Sequence, residues 1–577
     1  MKELRFIWKY LRRHWVLASI APLCVLLEVW AELEQPDLMS QIVDRGILGG
    51  EPGIVVPTGI KMVVIMLIGV VGGIMSIYAA GKVSYAFGAD MRADMFDRIS
   101  KFSFADVDRL EAPSLITRMG DDVNRVQQVV QSSMRLLFRA PFLFVGSVVM
   151  ALMIDVQVSI VLIFIMLASF MFVIFIMRQT LPLFIKQQKK RDGFVGIVQE
   201  ILVGVRVTKA YTNESVEQAK FREANSGLQD VTIHVGKMMA IMMPVVTFAL
   251  NAGVIMVIYL GSSEVSNGMM QVGGIMATIN YLAQIQTALM MASHVIMSIT
   301  QAQASIQRLN EVIETPTEPE QDEKKRSERP AKAFRNGDIR FDGVSFSYEG
   351  DGGQMQLTDI NFTLAKGQTL AILGETGSGK STLINLIARF YDPTAGSIAI
   401  GGEDLRDIDR QDLQRHVAVV MQHSLLFTGT IAENLRMGAP GATDDELMAV
   451  CRTVQMADHV EQLPEGLGHR LEQGAANLSG GQKQRFSIAR ALLTKPDILI
   501  LDDSFCALDL LTESKIKAEL DKIECTKIIV AQRISSIRNA DKILMLKAGR
   551  VEACGDHEYL MEHSDTYRET YKAQVEA

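Results

Sequence analysis

The chain has 577 residues, 48% of them hydrophobic and 21% charged, with a formal net charge of −8 and a mean hydropathy of +0.18. It is too long for one ordinary domain and too apolar for an ordinary soluble protein. No polybasic tail or stripe is present, so nucleic acid is not an expected partner.

The amino terminus, MKELRFIWKYLRRHW, is basic and amphipathic and runs into the apolar stretch Trp15–Trp30. ASIAP mimics a leader cleavage site, but further spans follow, so the segment reads as an interfacial elbow helix entering a first span. Apolar stretches fall near Trp15–Met39, Ile60–Ala80, Leu136–Met153, Ile160–Met177, Met239–Leu260 and Val272–Ile296. Each is close to the roughly 20 residues that cross a bilayer, which predicts six spans. Pro22, Pro141 and Pro244 lie inside them, where membrane helices tolerate proline.

Basic residues mark one side of the membrane. Lys2, Arg5, Lys9, Arg12 and Arg13 precede the first span, Arg92 to Arg125 lie between the second and third, and Lys186 to Lys209 between the fourth and fifth. The other connections, around Gly49–Thr58, Asp155–Val158 and Ser262–Met270, carry neither lysine nor arginine. By the positive-inside rule both termini are expected in the cytoplasm. The basic connections are long and helix-patterned, with tips expected near Ala112–Asp121 and Tyr211–Val216.

The first span carries Glu28, Glu32 and Glu34. An ionisable group at membrane depth is a functional-site candidate, and Glu28 is the candidate substrate-cavity residue. The alternative is that Glu28 only faces a wet cavity while the other two sit near the interface. The 32 methionines include many in the last two spans. Thioethers suit both promiscuous surfaces and ordinary packing, so substrate breadth does not follow from them.

From Thr315 to Asn336 the chain is polar, charged and proline-bearing, as domain linkers are. The expected organisation is a membrane domain at 1–315, a linker at 316–336 and a soluble α/β domain at 337–577. Four of the five cysteines lie in the soluble part, and none forms a CxxC or zinc spacing, consistent with a reducing compartment.

The segment ILGETGSGKSTLINLI is a strand-like run, a glycine turn and an apolar helix, the context of a Walker A loop. Gly374, Glu375, Thr376, Gly377, Ser378 and Gly379 would wrap backbone N–H groups around phosphates, with Lys380 reaching the terminal phosphates. Ser381 would bind Mg²⁺, and Thr382 continues into a helix whose positive end faces the anion. Tyr348 in VSFSYEG could stack on an adenine face, although such an aromatic alone is more often core or surface packing. ILILDDS is an apolar strand ending in acid: Asp502 would hold Mg²⁺ through water and Asp503 stands at the catalytic-base position. Gln422 in VVMQHSLLF would join the metal shell.

Walker A, the Gln422 loop, LSGGQ (Leu478, Ser479, Gly480, Gly481, Gln482), Walker B, the D-loop and a switch position at Gln532 follow in the order used by ATP-binding cassette (ABC) proteins. Over essentially its whole length the chain resembles an exporter-type ABC half-transporter. The resemblance implies an α-helical transmembrane domain of six spans fused to an α/β P-loop nucleotide-binding domain. It also implies ATP and Mg²⁺ as cofactors and cassettes that pair head to tail, each ATP lying between one Walker A and the opposite LSGGQ.

Three departures stand out. The family glutamate after Walker B is Asp503, shorter by roughly 1.5 Å of reach. The switch histidine is Gln532, which hydrogen-bonds but carries no proton charge. In the D-loop, SFCALD puts Cys506 where the family has serine and keeps Asp509. In these respects the chain is similar to the degenerate-site half of bacterial LmrCD-like heterodimeric multidrug exporters. That implies a different, catalytically competent partner half, a lipid bilayer as surroundings, an amphiphilic drug or lipid as substrate, and the bacterial cytoplasmic membrane as location. The alternatives are a homodimeric lipid or peptide transporter in which Asp503 suffices as base, and a nucleotide-regulated scaffold or channel.

Overall fold

A computed structural model describes residues 2–317, 334, 337–350 and 352–575, so most of the linker expected at 316–336 lies outside the described residues. The chain divides into two compact units, Met1–Asp97 with Pro113–Glu314, and Arg98–Ala112 with Thr315–Ala577.

The first unit is built from long helices. After α1 (Lys2–Leu11) come α2 (Trp15–Gln41), α3 (Val55–Ile99), α6 (Val123–Ile154), α7 (Val156–Val203), α9 (Glu214–Ser266) and α10 (Val272–Glu314). Short helices α4 (Phe104–Leu110), α5 (Ala112–Thr117) and α8 (Val205–Ala210) fall between them. Among the described residues, six helical segments are long and apolar enough to cross a membrane, and each contains one of the stretches named above. At 53 residues, α9 is about 80 Å long, far beyond the roughly 30 Å hydrocarbon core. It therefore continues well outside the bilayer, as the helical pattern of the basic connections implied.

The elbow helix is fixed on one face. Phe6 and Tyr10 are buried, and Tyr10 meets Phe87 edge-on at 5.7 Å. Arg13 and His14 pair with Asp94 at 3.2 Å and Asp90 at 3.0 Å on α3.

Close approach of α3 to α2 depends on glycine. A Cβ at Gly69 would lie 2.8 Å from that of Ala31, and one at Gly72 would lie 3.1 Å from the Cys24 carbonyl. Small residues of this kind let membrane helices pack backbone to backbone.

The basic connections turn at two places. The second turn, Tyr211–Asn213, lies inside the expected tip, with Thr212 at φ +53°. The first turn comes earlier than the expected Ala112–Asp121. Ser103 accepts a hydrogen bond from the Asp106 N–H and caps α4, while Arg118–Asp122 forms a π-helical turn leading into α6. At the end of this turn Asp122 is 1% exposed and receives both arms of the half-exposed Arg308 guanidinium at 2.6 and 2.7 Å. Ser305 donates to the same carboxylate at 2.8 Å. The chain breaks again at Glu111, at φ +58° between α4 and α5, directly before the expected tip.

In the second unit a six-stranded sheet runs in the order Arg550–Gly555, Lys542–Lys547, Thr369–Gly374, Thr526–Val530, Ile498–Asp502, Val417–Val420. Only the first pair is antiparallel. The inner strands TLAILG, TKIIV and ILILD are mostly apolar because both faces are covered. Leu499, Leu501 and Ile529 enter one core, while Ile498, Ile500 and Ile528 enter the other. A separate four-stranded antiparallel sheet contains Ile339–Phe346, which ends two residues before Tyr348. Helix α4 belongs to this unit: Phe104 stacks on Phe390 at 4.2 Å, and the Tyr391 hydroxyl donates to Asp108.

Candidate nucleotide site

Strand register assembles the site. Val530 pairs with Ile372 on one side and Asp502 on the other, so three parallel strands end within two residues of one another. Ligands of open α/β sheets bind beyond such carboxyl ends. The Gly374–Lys380 loop, Asp503 and Gln532 follow these ends within a few residues, and Gln422 follows the adjacent strand Val417–Val420.

The loop is shaped by glycine at two positions. Gly377 and Gly379 have φ of +83° and +103°, which side chains rarely adopt. A Cβ on Gly379 would also strike Leu357 at 2.6 Å. Glu375, Thr376 and Gly377 form the exposed lip, while Ser378 is buried. Lys380 opens the helix Lys380–Ile387 and donates to the Gly374 and Glu375 carbonyls at 2.8 and 2.7 Å. Burial lowers its pKa, opposed by the charges of Asp503 and Asp502.

The Ser381 hydroxyl acts on the Asp502 carboxyl, favouring its charged form. Burial, followed by the Asp503 charge, raises the Asp502 pKa against that hydroxyl and the Lys380 charge. A hydroxyl and a partly buried carboxylate thus converge beside the phosphate loop, a donor set of hard oxygens that fits Mg²⁺.

Tyr348 is 46% exposed. Its hydroxyl bonds Thr382 at 3.2 Å, and its ring meets Tyr391 edge-on at 5.1 Å. This holds it over the first turn of the phosphate-loop helix with a face left open.

Asp503 is the focus of the site. It is a non-glycine residue at φ +45°, a conformation that costs on the order of 1–3 kcal/mol and persists only where the surroundings impose it. Its N–H donates to the Val530 carbonyl at 3.1 Å. Two side-chain amides converge on the same carboxylate oxygen, Oδ2: Gln532 at 3.0 Å and Gln422 at 3.4 Å. The candidate base and the switch residue are therefore bonded to each other.

On another edge of the unit Ser479 caps the helix Gly480–Leu493. Its hydroxyl accepts from the Gln482 N–H at 3.3 Å, and the Gln482 side chain accepts from the Ser479 N–H at 2.8 Å. Leu478 is buried beneath. The glycines let the D-loop approach, since a Cβ on Gly481 would lie 2.9 Å from the Ala507 carbonyl. Asp509 caps the next helix through the Thr512 N–H at 2.9 Å, and backbone hydrogen bonding lowers its pKa.

The sequence comparisons match this geometry. Residues 357–505 match the ABC transporter family and residues 19–289 the ABC transporter transmembrane region. The uncharacterized ABC transporter ATP-binding protein YfiB of Bacillus subtilis is 36% identical over 565 residues, covering 98% of this chain and 97% of its own. The chain belongs to the ABC transporter family.

It is a half-transporter, a membrane domain and one ATP-binding cassette in a single polypeptide, of the exporter type that couples ATP to transport as a dimer in a lipid bilayer. The putative multidrug export ATP-binding/permease protein YgaD of Bacillus subtilis is 31% identical over 499 residues, covering 86% of this chain and 84% of that one. A bacterial Atm1-family ABC exporter solved with ATP bound superposes with a TM-score of 0.81 at 25% identity, covering 98% of both chains.

Two groups in this ABC cassette escaped the sequence reading. Gln484, two residues past LSGGQ, is 3% exposed and bonds to the segment after Walker B. His459 faces the Gln482 amide at 3.3 Å. Burial, then the charges of Arg485 and His469, lower the His459 pKa below 6.5. The folded state thus favours the neutral ring, whose contribution is intact above pH 6.5 and is lost as pH falls toward the lower folded value. ATP hydrolysis and thermal stability are expected to decline together as pH falls below 6.5. His459→Gln should flatten that part of both profiles.

Glu28, the candidate cavity residue, is paired within the membrane unit. Arg139 bonds Glu28 at 2.5 Å and Glu32 at 2.9 Å, and Arg135 lies 3.7 Å from Glu28. Its side chain is 18% exposed. Glu28 therefore presents a neutralised cluster rather than a lone negative charge.

Proposed function

We propose that this chain is the degenerate-site half of a heterodimeric exporter that moves amphiphilic drugs or lipids across the bacterial cytoplasmic membrane, with both termini on the cytoplasmic side. The carrying observation is the Gln532–Asp503–Gln422 arrangement, in which two neutral amides occupy one oxygen of a shortened base. A carboxylate held in this way is a poor acceptor for the proton of an attacking water, and an amide cannot supply the charge that a protonated ring offers to the developing phosphate charge. LSGGQ is intact and preformed by its capping box. The division of labour follows. This chain's Walker A holds ATP and keeps the cassettes engaged, while the partner hydrolyses its own ATP against Ser479, Gly480 and Gly481 of this chain.

Lys380 and the backbone of residues 374–379 hold the phosphates, and Tyr348 supports the adenine. Ser381, Asp502 and the Gln422 amide oxygen are the groups that would hold Mg²⁺, which neutralises phosphate charge when bound. In the proposed organisation the membrane domain is 1–315, the linker 316–336 and the cassette 337–577. The name of YgaD agrees with drug efflux, and the neutral Glu28 cluster suits a cavity for amphiphiles rather than for cations alone.

Ser479→Arg in this chain tests the composite site. It places a bulky cation where the partner's phosphate must seat, and hydrolysis by the co-expressed pair is expected to fall by about 100-fold or more. Wild-type turnover in that variant would sink the arrangement.

A further inference from the structure

We propose that Gln484 is a positioning residue that couples the two nucleotide sites of the dimer, tying the signature helix of one site to the base segment of the other. The inference rests on the composite-site reading above. Gln484 sits on the helix Gly480–Leu493, one turn past the residues presented to the partner's ATP. Its polar contacts all go to the segment that follows Walker B. The side-chain N–H₂ donates to the Asp503 carbonyl at 3.2 Å and lies 3.8 Å from the Cys506 sulfur, while the side-chain oxygen accepts from the Ala507 N–H at 3.3 Å.

Three features turn this contact into a strut. The amide is 3% exposed, so water does not compete for its bonds. It grips the carbonyl of a residue whose φ of +45° is imposed by its surroundings, and that φ sets where the Asp503 carboxylate points. The Gly481 Cβ position lies 2.9 Å from the Ala507 carbonyl, so helix and D-loop already touch and move together. When the signature clamps on the partner's phosphate, the shift reaches Asp503 through Gln484. By reciprocity, ATP held at Lys380 and read by Asp503 alters how the signature is presented.

Gln484→Met preserves length and removes both polar arms. Gln484→Asn keeps the amide but withdraws it by one methylene, and is the second variant should the first fold poorly. The measurement is turnover of the co-expressed pair in lipid, for Gln484→Met or Gln484→Asn, for Lys380→Ala, and for the double variant. Lys380 bonds Gly374 and Glu375 and shares no hydrogen-bond partner with Gln484, so independent defects should multiply. If Gln484 carries the signal, each single variant lowers turnover by about tenfold and the double falls no further. A double variant down by about 100-fold, or Gln484 variants within about twofold of wild type, would overturn the coupling. Ser479→Arg separates the two ideas: if it abolishes turnover while the Gln484 variants do not, the composite site stands and the coupling alone fails. If it leaves turnover intact, both fall.

Discussion

Asp503→Glu combined with Gln532→His is expected to raise ATP hydrolysis by the purified chain by about 100-fold, equivalent to about 2.7 kcal/mol of transition-state stabilisation. Both halves of the double change are needed. A glutamate restores roughly 1.5 Å of reach toward the attacking water, but with Gln532 in place its carboxylate would still receive an amide N–H, as Asp503 does at 3.0 Å. A histidine restores a titratable donor near the phosphate, but with Asp503 in place the base remains short and tied to Gln422 at 3.4 Å. Each single variant is therefore expected to gain less than tenfold, with the larger gain appearing only in the double. Steady-state hydrolysis in lipid reads this directly. A double variant no faster than wild type would mean that the site is slow for a reason other than these two side chains.

The second large effect concerns the membrane unit. Arg139→Leu is expected to destabilise it by about 3–5 kcal/mol, because removing one partner of a buried pair leaves an uncompensated charge. Glu28 and Glu32 would then keep only Arg135, at 3.7 Å from Glu28, and the Glu28 Oε2 atom already lacks a hydrogen bond. Lipid offers no water to solvate what is left. Unfolding of the detergent-solubilised chain, followed by tryptophan fluorescence, measures the loss. Adding Glu28→Gln to Arg139→Leu should recover a substantial part of it by removing the orphan charge. A single-variant loss below about 1 kcal/mol would mean that the cluster is solvated by a water-filled cavity.

The contrast between what was readable in the chain and what was not has physical causes. Six spans were legible because lipid demands uninterrupted apolar helices of fixed minimum length. The glycine turn at Gly374–Lys380 was legible because its glycines answer to backbone geometry, with Gly377 and Gly379 at positive φ. Glu28 was visible as an oddity, but its partner was not. Arg139 lies 111 residues away in sequence, and no local pattern marks a pairing between two spans. The Asp122 contact has the same character, since it is held by Arg308 from 186 residues away. Gln484 and His459 were hidden because their contacts are made only by folding. A glutamine on the far side of LSGGQ looks like a surface residue until its burial and its bond to the Asp503 carbonyl are known.

Steady-state ATP hydrolysis by the purified chain in lipid, alone and after co-expression with its candidate partner half, addresses the degenerate-site reading most directly. Negligible turnover alone and robust turnover in the pair is the predicted result. Equal turnover in both preparations would contradict it, because Asp503 and Gln532 would then suffice for catalysis and the chain would function as a homodimer.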